Sequence, residues 1–114
     1  MGPRRIPQAN SGEAIGGRVQ VVLSLRARTD LLEIHSYVAE RSSAAADRLA
    51  ARFSERFDEL RKFPLMGPDR SELRASLRGL SIDGYIAFYL VGLDRIAIVR
   101  VLDGRRDIER EFSK

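Results

Sequence analysis

The chain has no cysteine and no tryptophan, a single histidine, and only two lysines, Lys62 and Lys114. Without cysteine there can be no disulfide, thiolate metal site, iron–sulfur ligand or thiol nucleophile, and the composition suits a reducing compartment. No apolar run approaches the roughly 18 residues that span a bilayer. The N-terminal stretch MGPRRIPQANSGEAIGG carries arginines but no apolar core of the kind a secretory signal needs. Phosphate-binding Gly loops, HExxH pairs, serine elbows and His/Cys clusters are likewise absent, so neither a metal nor a cofactor is expected and hydrolase chemistry is disfavoured. His35 falls on the buried side of a helical pattern, which reads as a core or boundary histidine rather than a catalytic one. These absences describe a cytoplasmic protein with no membrane partner.

What is present is one domain's worth of chain, 114 residues. A chain of that size buries about two-thirds of its unfolded surface, enough for one layer of helices on one sheet. The net charge of +4 is not spread over it: residues 1–28 hold five Arg against one Glu, and residues 29–114 hold fifteen basic and fifteen acidic groups. The excess therefore marks the N-terminal region, and direct sequence-specific DNA binding is not expected of the fold. Eighteen of the twenty basic residues are Arg, a skew that reflects genome composition more often than a phosphate site.

Residues 1–17 are rich in Gly, Pro, Asn and Ser and poor in apolar side chains, the composition of a disordered extension, leaving 18–114 as the folded domain. Gln20–Leu25 reads as a first strand. Thr29 or Asp30 is placed to cap a helix, with Glu33 completing a capping box, and Leu31, Ile34 and Val38 follow helical spacing. Ser42 or Ser43 then caps a second helix whose stripe is Ala46, Leu49, Ala50, Phe53, Phe57 and Leu60, ended by Pro64, Gly67 and Pro68. The two make an αα-hairpin. From Leu73 the period changes to two: Leu73, Ala75 and Leu77 alternate with polar residues as in a half-exposed strand. Asp83-Gly84 is a hairpin signal. Tyr85–Val91 and Arg95–Leu102 are apolar on both faces, as strands buried on both sides are, and Ile108 and Phe112 mark a short terminal helix. The whole is α+β: a strand, an antiparallel helical hairpin, a three-stranded antiparallel meander and a terminal helix. The hairpin covers one sheet face and only Ile108 and Phe112 remain for the other, a surplus of apolar surface that calls for a protein partner.

Two arginines interrupt this pattern. Arg78 follows Leu77, and Arg100 sits inside IVRVL on a face shared with Ile96, Ile98 and Leu102. A guanidinium there needs an anion: an acid of this chain such as Asp103 or Asp107, or else a phosphate or a partner's carboxylate.

Taken together, these stretches resemble a known family. Ala27-x-x-Asp30-Leu31-x-x-Ile34-x-x-Tyr37-Val38, the Ala-rich start at Ala44–Ala46, Leu60 to Pro64 followed by Gly67, Glu72-Leu73 leading to Arg78, Tyr85-Ile86-Ala87-Phe88-Tyr89, and Arg100-Val101-Leu102-Asp103-Gly104-Arg105-Arg106-Asp107-Ile108 resemble, in order and over about 90 residues, the ParE branch of the ParE/RelE toxins of type II toxin–antitoxin modules. Asp103 departs from the pattern, which has His there.

The resemblance implies two alternative activities. RelE-type members cut ribosome-bound mRNA, and here Arg78 and Arg100 would be the catalytic candidates, with no base beside them. ParE-type members inhibit DNA gyrase without any catalytic residue, the reading that the missing Lys, His and terminal Tyr favour. It further implies plasmid stabilisation and a ParD-like antitoxin, forming a hetero-oligomer across the hairpin and sheet through Leu31, Ile34, Phe53, Phe57, Tyr85, Phe88, Tyr89 and Arg100. The target would be met by Arg105, Arg106 and Phe112, outward-facing around the last turn. A toxin fold retained only as a binding module is the third reading.

Overall fold

The computed structural model describes residues 19–113, so the expectation of a disordered 1–17 extension lies outside the described residues. Seven elements follow in order: β1 (Gln20–Leu23), α1 (Leu25–Ala39), α2 (Ser43–Lys62), β2 (Arg78–Ile82), β3 (Tyr85–Val91), β4 (Arg95–Asp103) and α3 (Ile108–Phe112). They build one four-stranded sheet in the order β1-β4-β3-β2, with β1 parallel to β4 and the remaining pairs antiparallel. Among the described residues no helix is long and apolar enough to cross a membrane.

The first strand stops two residues earlier than its composition predicts, because Ser24 and not Thr29 or Asp30 caps α1. The Ser24 hydroxyl accepts from the Ala27 N–H at 3.0 Å and donates to the Val99 carbonyl at 3.1 Å. The expected Asp30–Glu33 capping box therefore does not exist, and Asp30 lies inside the helix, buried. Ser42 caps α2 as expected, its hydroxyl accepting from Ala45 N–H at 3.0 Å.

The predicted strand at Leu73–Leu77 is also not formed. Residues 71–77 run as turns that carry Leu73 and the fully buried Leu77 onto the sheet. Leucines spaced by two served here to plug a face, not to alternate across one. The Asp83-Gly84 turn closes β2 to β3, with both residues at positive φ, 49° and 91°. Asp tolerates that region and Gly has no Cβ to resist it.

Two apolar clusters sandwich the sheet. On the helical side Ala27, Phe53 and Leu60 pack on Leu80, Ile82, Ala87, Tyr89, Ile96, Ile98 and Val101. On the other side Leu77, Phe88 and Leu102 are covered by Leu73, Ile108 and Phe112. The second face is thus better covered than Ile108 and Phe112 alone would achieve, and the surplus inferred from sequence shrinks accordingly.

Tyr89 fastens the connection between α2 and β2. Its buried hydroxyl accepts from the Gly67 N–H at 2.9 Å and donates to the Pro64 carbonyl at 2.8 Å, and burial raises its pKa. Gly67 is required by that closeness: a Cβ there would lie 2.7 Å from the hydroxyl. Tyr89→Phe should therefore destabilise by about 1–3 kcal/mol, since it strands two backbone groups in the interior. Urea unfolding of the variant measures it; a loss below a few tenths would mean that water replaces the hydroxyl.

Candidate functional site: a helical groove and an open strand edge

Between α1 and α2 the apolar stripes do not close completely. Leu31 and Ile34 of α1 and Ala46, Leu49, Ala50, Phe53 and Phe57 of α2 line a groove of about 250 Å³. Small side chains on α2 at Ala46 and Ala50 leave the space, and Phe53 and Phe57, tilted with ring centroids 6.1 Å apart, form its wall. His35 stands at the mouth, at the boundary rather than in the core: its side chain is half exposed and its Nε2 lies 3.5 Å from an Asp47 carboxylate oxygen. Of the partner residues expected from sequence, the structure brings together Leu31, Ile34, Phe53 and Phe57 in this groove. Tyr85 packs on Phe53 with ring centroids 5.9 Å apart and lines a second, more polar cleft with Tyr37, Asp103, Arg105 and Arg106. Phe88 and Tyr89 are fully buried and belong to the core instead of a contact surface. Their strand has covered faces on both sides, so aromatic character there signals packing.

The second feature is the edge of β4. Phe88 pairs with Arg100 and Tyr89 with Ile98, which leaves Val99 as an extra residue in β4. This bulge breaks the alternation. Ile96 and Ile98 face the helices, and Arg100 is on the other side with its neighbour Leu102, not on a face shared with all three. Beyond Ile98 the edge of β4 opposite β3 has no strand beside it among the described residues, because β1 has already ended. Asp30 takes that place: its carboxylate accepts from Arg100 Nε at 2.8 Å, from Arg100 Nη2 at 3.3 Å and from the Val101 N–H at 2.9 Å. The hydrogen bonds that Arg100 donates to Asp30 raise the Arg100 pKa against the opposing pull of desolvation. Glu111 of α3 completes the chain of charges, 3.5 Å from Arg100 Nη1 and paired also with Arg106. The anion that Arg100 needs is therefore Asp30, with Glu111, and neither Asp103 nor Asp107.

Asp103 instead holds Arg105. It accepts from the Arg105 N–H at 2.9 Å, from Nε at 3.1 Å and from Nη2 at 2.8 Å, and the Arg105 side chain foremost, then its N–H, lowers the Asp103 pKa from 3.8 to about 2. The carboxylate form is the one stabilised, so this contribution is complete above about pH 4 and disappears as the pH falls toward 2. Arg105 is nearly fully exposed, so solvent screens the pair, keeping the effect small and salt-sensitive. Asp103→Asn should erase it, flattening acid unfolding in that window; a carboxyl NMR titration placing Asp103 near its ordinary value would contradict the assignment.

Arg105 and Arg106 are exposed as expected, just before the Asp107 side chain caps α3 by accepting from the Arg110 N–H at 3.2 Å. Phe112 does not join them outside. It meets Phe88 edge-on with centroids 4.9 Å apart and closes the second face. Arg78 lies elsewhere, donating through Nη1 to the carbonyls of Gly67 at 2.8 Å and Leu65 at 3.2 Å. Arg78 and Arg100 thus serve separate structural partners, and the sheet brings neither His nor Lys beside them. The residue that sequence reasoning missed is Asp30. It shares a helical stripe with Ala27 and Ile34, and one acid on a buried stripe together with one arginine on an apolar strand was a readable pair.

A four-stranded sheet with a helical hairpin on one face and a short helix on the other defines a small α+β fold class. A chain of the chromosomal ParDE TA system from P. aeruginosa shares it, with a TM-score of 0.64 over 75% of this chain and 96% of that one, at 20% identity. Residues 21–108 match the family described as ParE toxin of type II toxin-antitoxin system, parDE, and the chain belongs to that family. It is also 36% identical over 58 residues to Toxin ParE3 of Caulobacter vibrioides, a match that covers 51% of this chain and 58% of that protein.

Proposed function

We propose that this chain is the toxin half of a ParDE module, that it acts in the cytoplasm by inhibiting DNA gyrase, and that a ParD-like antitoxin neutralises it by laying an amphipathic helix in the groove between α1 and α2. The apolar groove carries the reading: helix-in-groove recognition needs a row of apolar anchors, and Leu31, Ile34, Leu49, Phe53 and Phe57 supply a matching trough. Membership of the toxin family supports the role. The commitment of Arg78 and Arg100 to separate structural contacts favours gyrase inhibition over mRNA cleavage, which requires groups to move a proton and hold a phosphorane.

The test is expression of the full chain, with purified protein then assayed for gyrase supercoiling and for mRNA cleavage in a translating extract. Accumulation of cleaved DNA–gyrase complexes with intact mRNA is expected. Codon-specific mRNA cleavage would place the chain in the interferase branch, and inactivity in both assays would make it a binding module.

A further inference from the structure

The exposed apolar side chains are unevenly distributed. Among the described residues, eight large ones are exposed, and five of them, Phe63, Leu65, Met66, Val91 and Leu93, belong to two adjoining segments at one end of the sheet. Phe63 ends α2, and the Met66 N–H donating to the Phe63 carbonyl at 3.1 Å turns the chain so that both stay outside. Leu65 and Val91 line one hollow with Arg78. Leu93 sits at the tip of the β3–β4 hairpin, closed by the Gly92 N–H on the Arg95 carbonyl at 2.8 Å, and is fully exposed. None of these residues lines the α1–α2 groove.

A hairpin tip gains nothing for folding from an exposed leucine, and clustered apolar exposure of this kind marks a contact surface. Its surroundings are cationic. Lys62, next to Phe63 in the chain, carries no ion pair among the described residues, and Arg78 offsets Asp69, the acid in the hollow. Arg61 and Arg95 are paired with Asp58 and Asp94.

We infer that this end of the molecule, formed by the Phe63–Met66 turn and the Val91–Leu93 hairpin tip, is the surface that grips the target, and that it fits an apolar protein surface flanked by carboxylates. The inference rests on the gyrase reading and names the surface for it, moving the contact away from the Arg105–Arg106 corner. Two other occupants are less compatible with the charge. A second copy would set one cationic rim against another. The N-terminal segment leaves β1 close by, since the Gln20 N–H donates to the Asp94 carbonyl at 3.2 Å, but it brings Arg4, Arg5 and Arg18 against one Glu.

The experiment compares the wild type, Phe63→Ser/Leu93→Ser, and Leu32→Ser, an exposed leucine on the outer side of α1, in a gyrase supercoiling assay, with melting temperature and binding of the cognate antitoxin measured alongside. The double variant should need at least tenfold more protein for half-inhibition while melting and antitoxin affinity are unchanged, and Leu32→Ser should match the wild type. Undiminished inhibition by the double variant would overturn the inference. So would a wild-type dimer in sedimentation that the variant dissolves, stronger inhibition after deletion of residues 2–17, or patch-dependent binding to DNA without gyrase. A wild type that never inhibits gyrase would sink the gyrase reading itself, and this surface assignment with it, before any variant is compared.

Discussion

Replacing Asp30 by alanine is expected to destabilise the fold by about 3–5 kcal/mol, the usual consequence of leaving a buried charge without its partner. Asp30 and Arg100 are both largely buried, with 6% and 14% of their side chains exposed, and Asp30 also accepts the Val101 N–H at the point where β4 has lost its neighbour. The variant therefore abandons a guanidinium and a backbone donor together. Glu111 remains near Arg100 at 3.5 Å, which offsets part of the loss and sets the lower end of the range. Domains of this size have only about 5–15 kcal/mol in hand, so the variant should be partly unfolded at 37 °C. Arg100→Ala should fall in the same range, by leaving the Asp30 carboxylate buried with only the Val101 N–H and the more distant Arg26, 3.7 Å away. The decisive comparison is Asp30→Leu/Arg100→Met. Removing both charges leaves fewer desolvated groups, and such paired replacements are commonly neutral or stabilising. Urea melts that rank the double variant below either single one would show that the pair contributes net stability and does more than satisfy itself.

This pair also separates what can be read along the chain from what cannot. The helical hairpin, the Asp83-Gly84 turn, the two strands buried on both faces and the Ile108–Phe112 helix follow from period and turn chemistry, which are local. The start of α1 does not, because Ser24 caps it while bonding the Val99 carbonyl 75 residues away. Leu73 and Leu77 mimic a strand for a related reason. Their spacing reflects a turn folded onto the sheet, and only the sheet's open face reveals the need for a cover. Arg100 was recognisable as a residue in want of an anion, yet a one-residue bulge at Val99 redirected it, and bulges leave no periodic trace. For the site, the groove residues were legible because they are the helical stripes themselves. Aromatic residues on β3 misled because an apolar strand offers no sign of which faces are already taken.

Ala50→Glu is expected to weaken antitoxin binding by about a hundredfold or more, which corresponds to about 2.7 kcal/mol, and to let the toxin act in cells that also make antitoxin. Ala50 lines the groove yet is exposed in the free chain, so its replacement meets no neighbour in the unbound protein. The helix loses only a few tenths of a kcal/mol through propensity and through the like charge of Asp47 three positions earlier. In the complex the situation reverses. An apolar helix seated against Leu49, Phe53 and Ile34 would cover the new carboxylate with no cation on the groove floor to meet it, and an unpaired buried charge costs several kcal/mol. His35 at the mouth already faces Asp47 and so is not free to pair with the new carboxylate. Ala50→Ser, close in size, should change affinity by only a fewfold, which separates blocking the groove from altering the helix. Growth arrest and melting temperature should match the wild type for both variants in the absence of antitoxin. If Ala50→Glu is still neutralised as tightly as the wild type, the antitoxin does not enter the groove, and the polar cleft of Tyr37, Tyr85 and Arg105 along the open edge of β4 becomes the place to map its contacts.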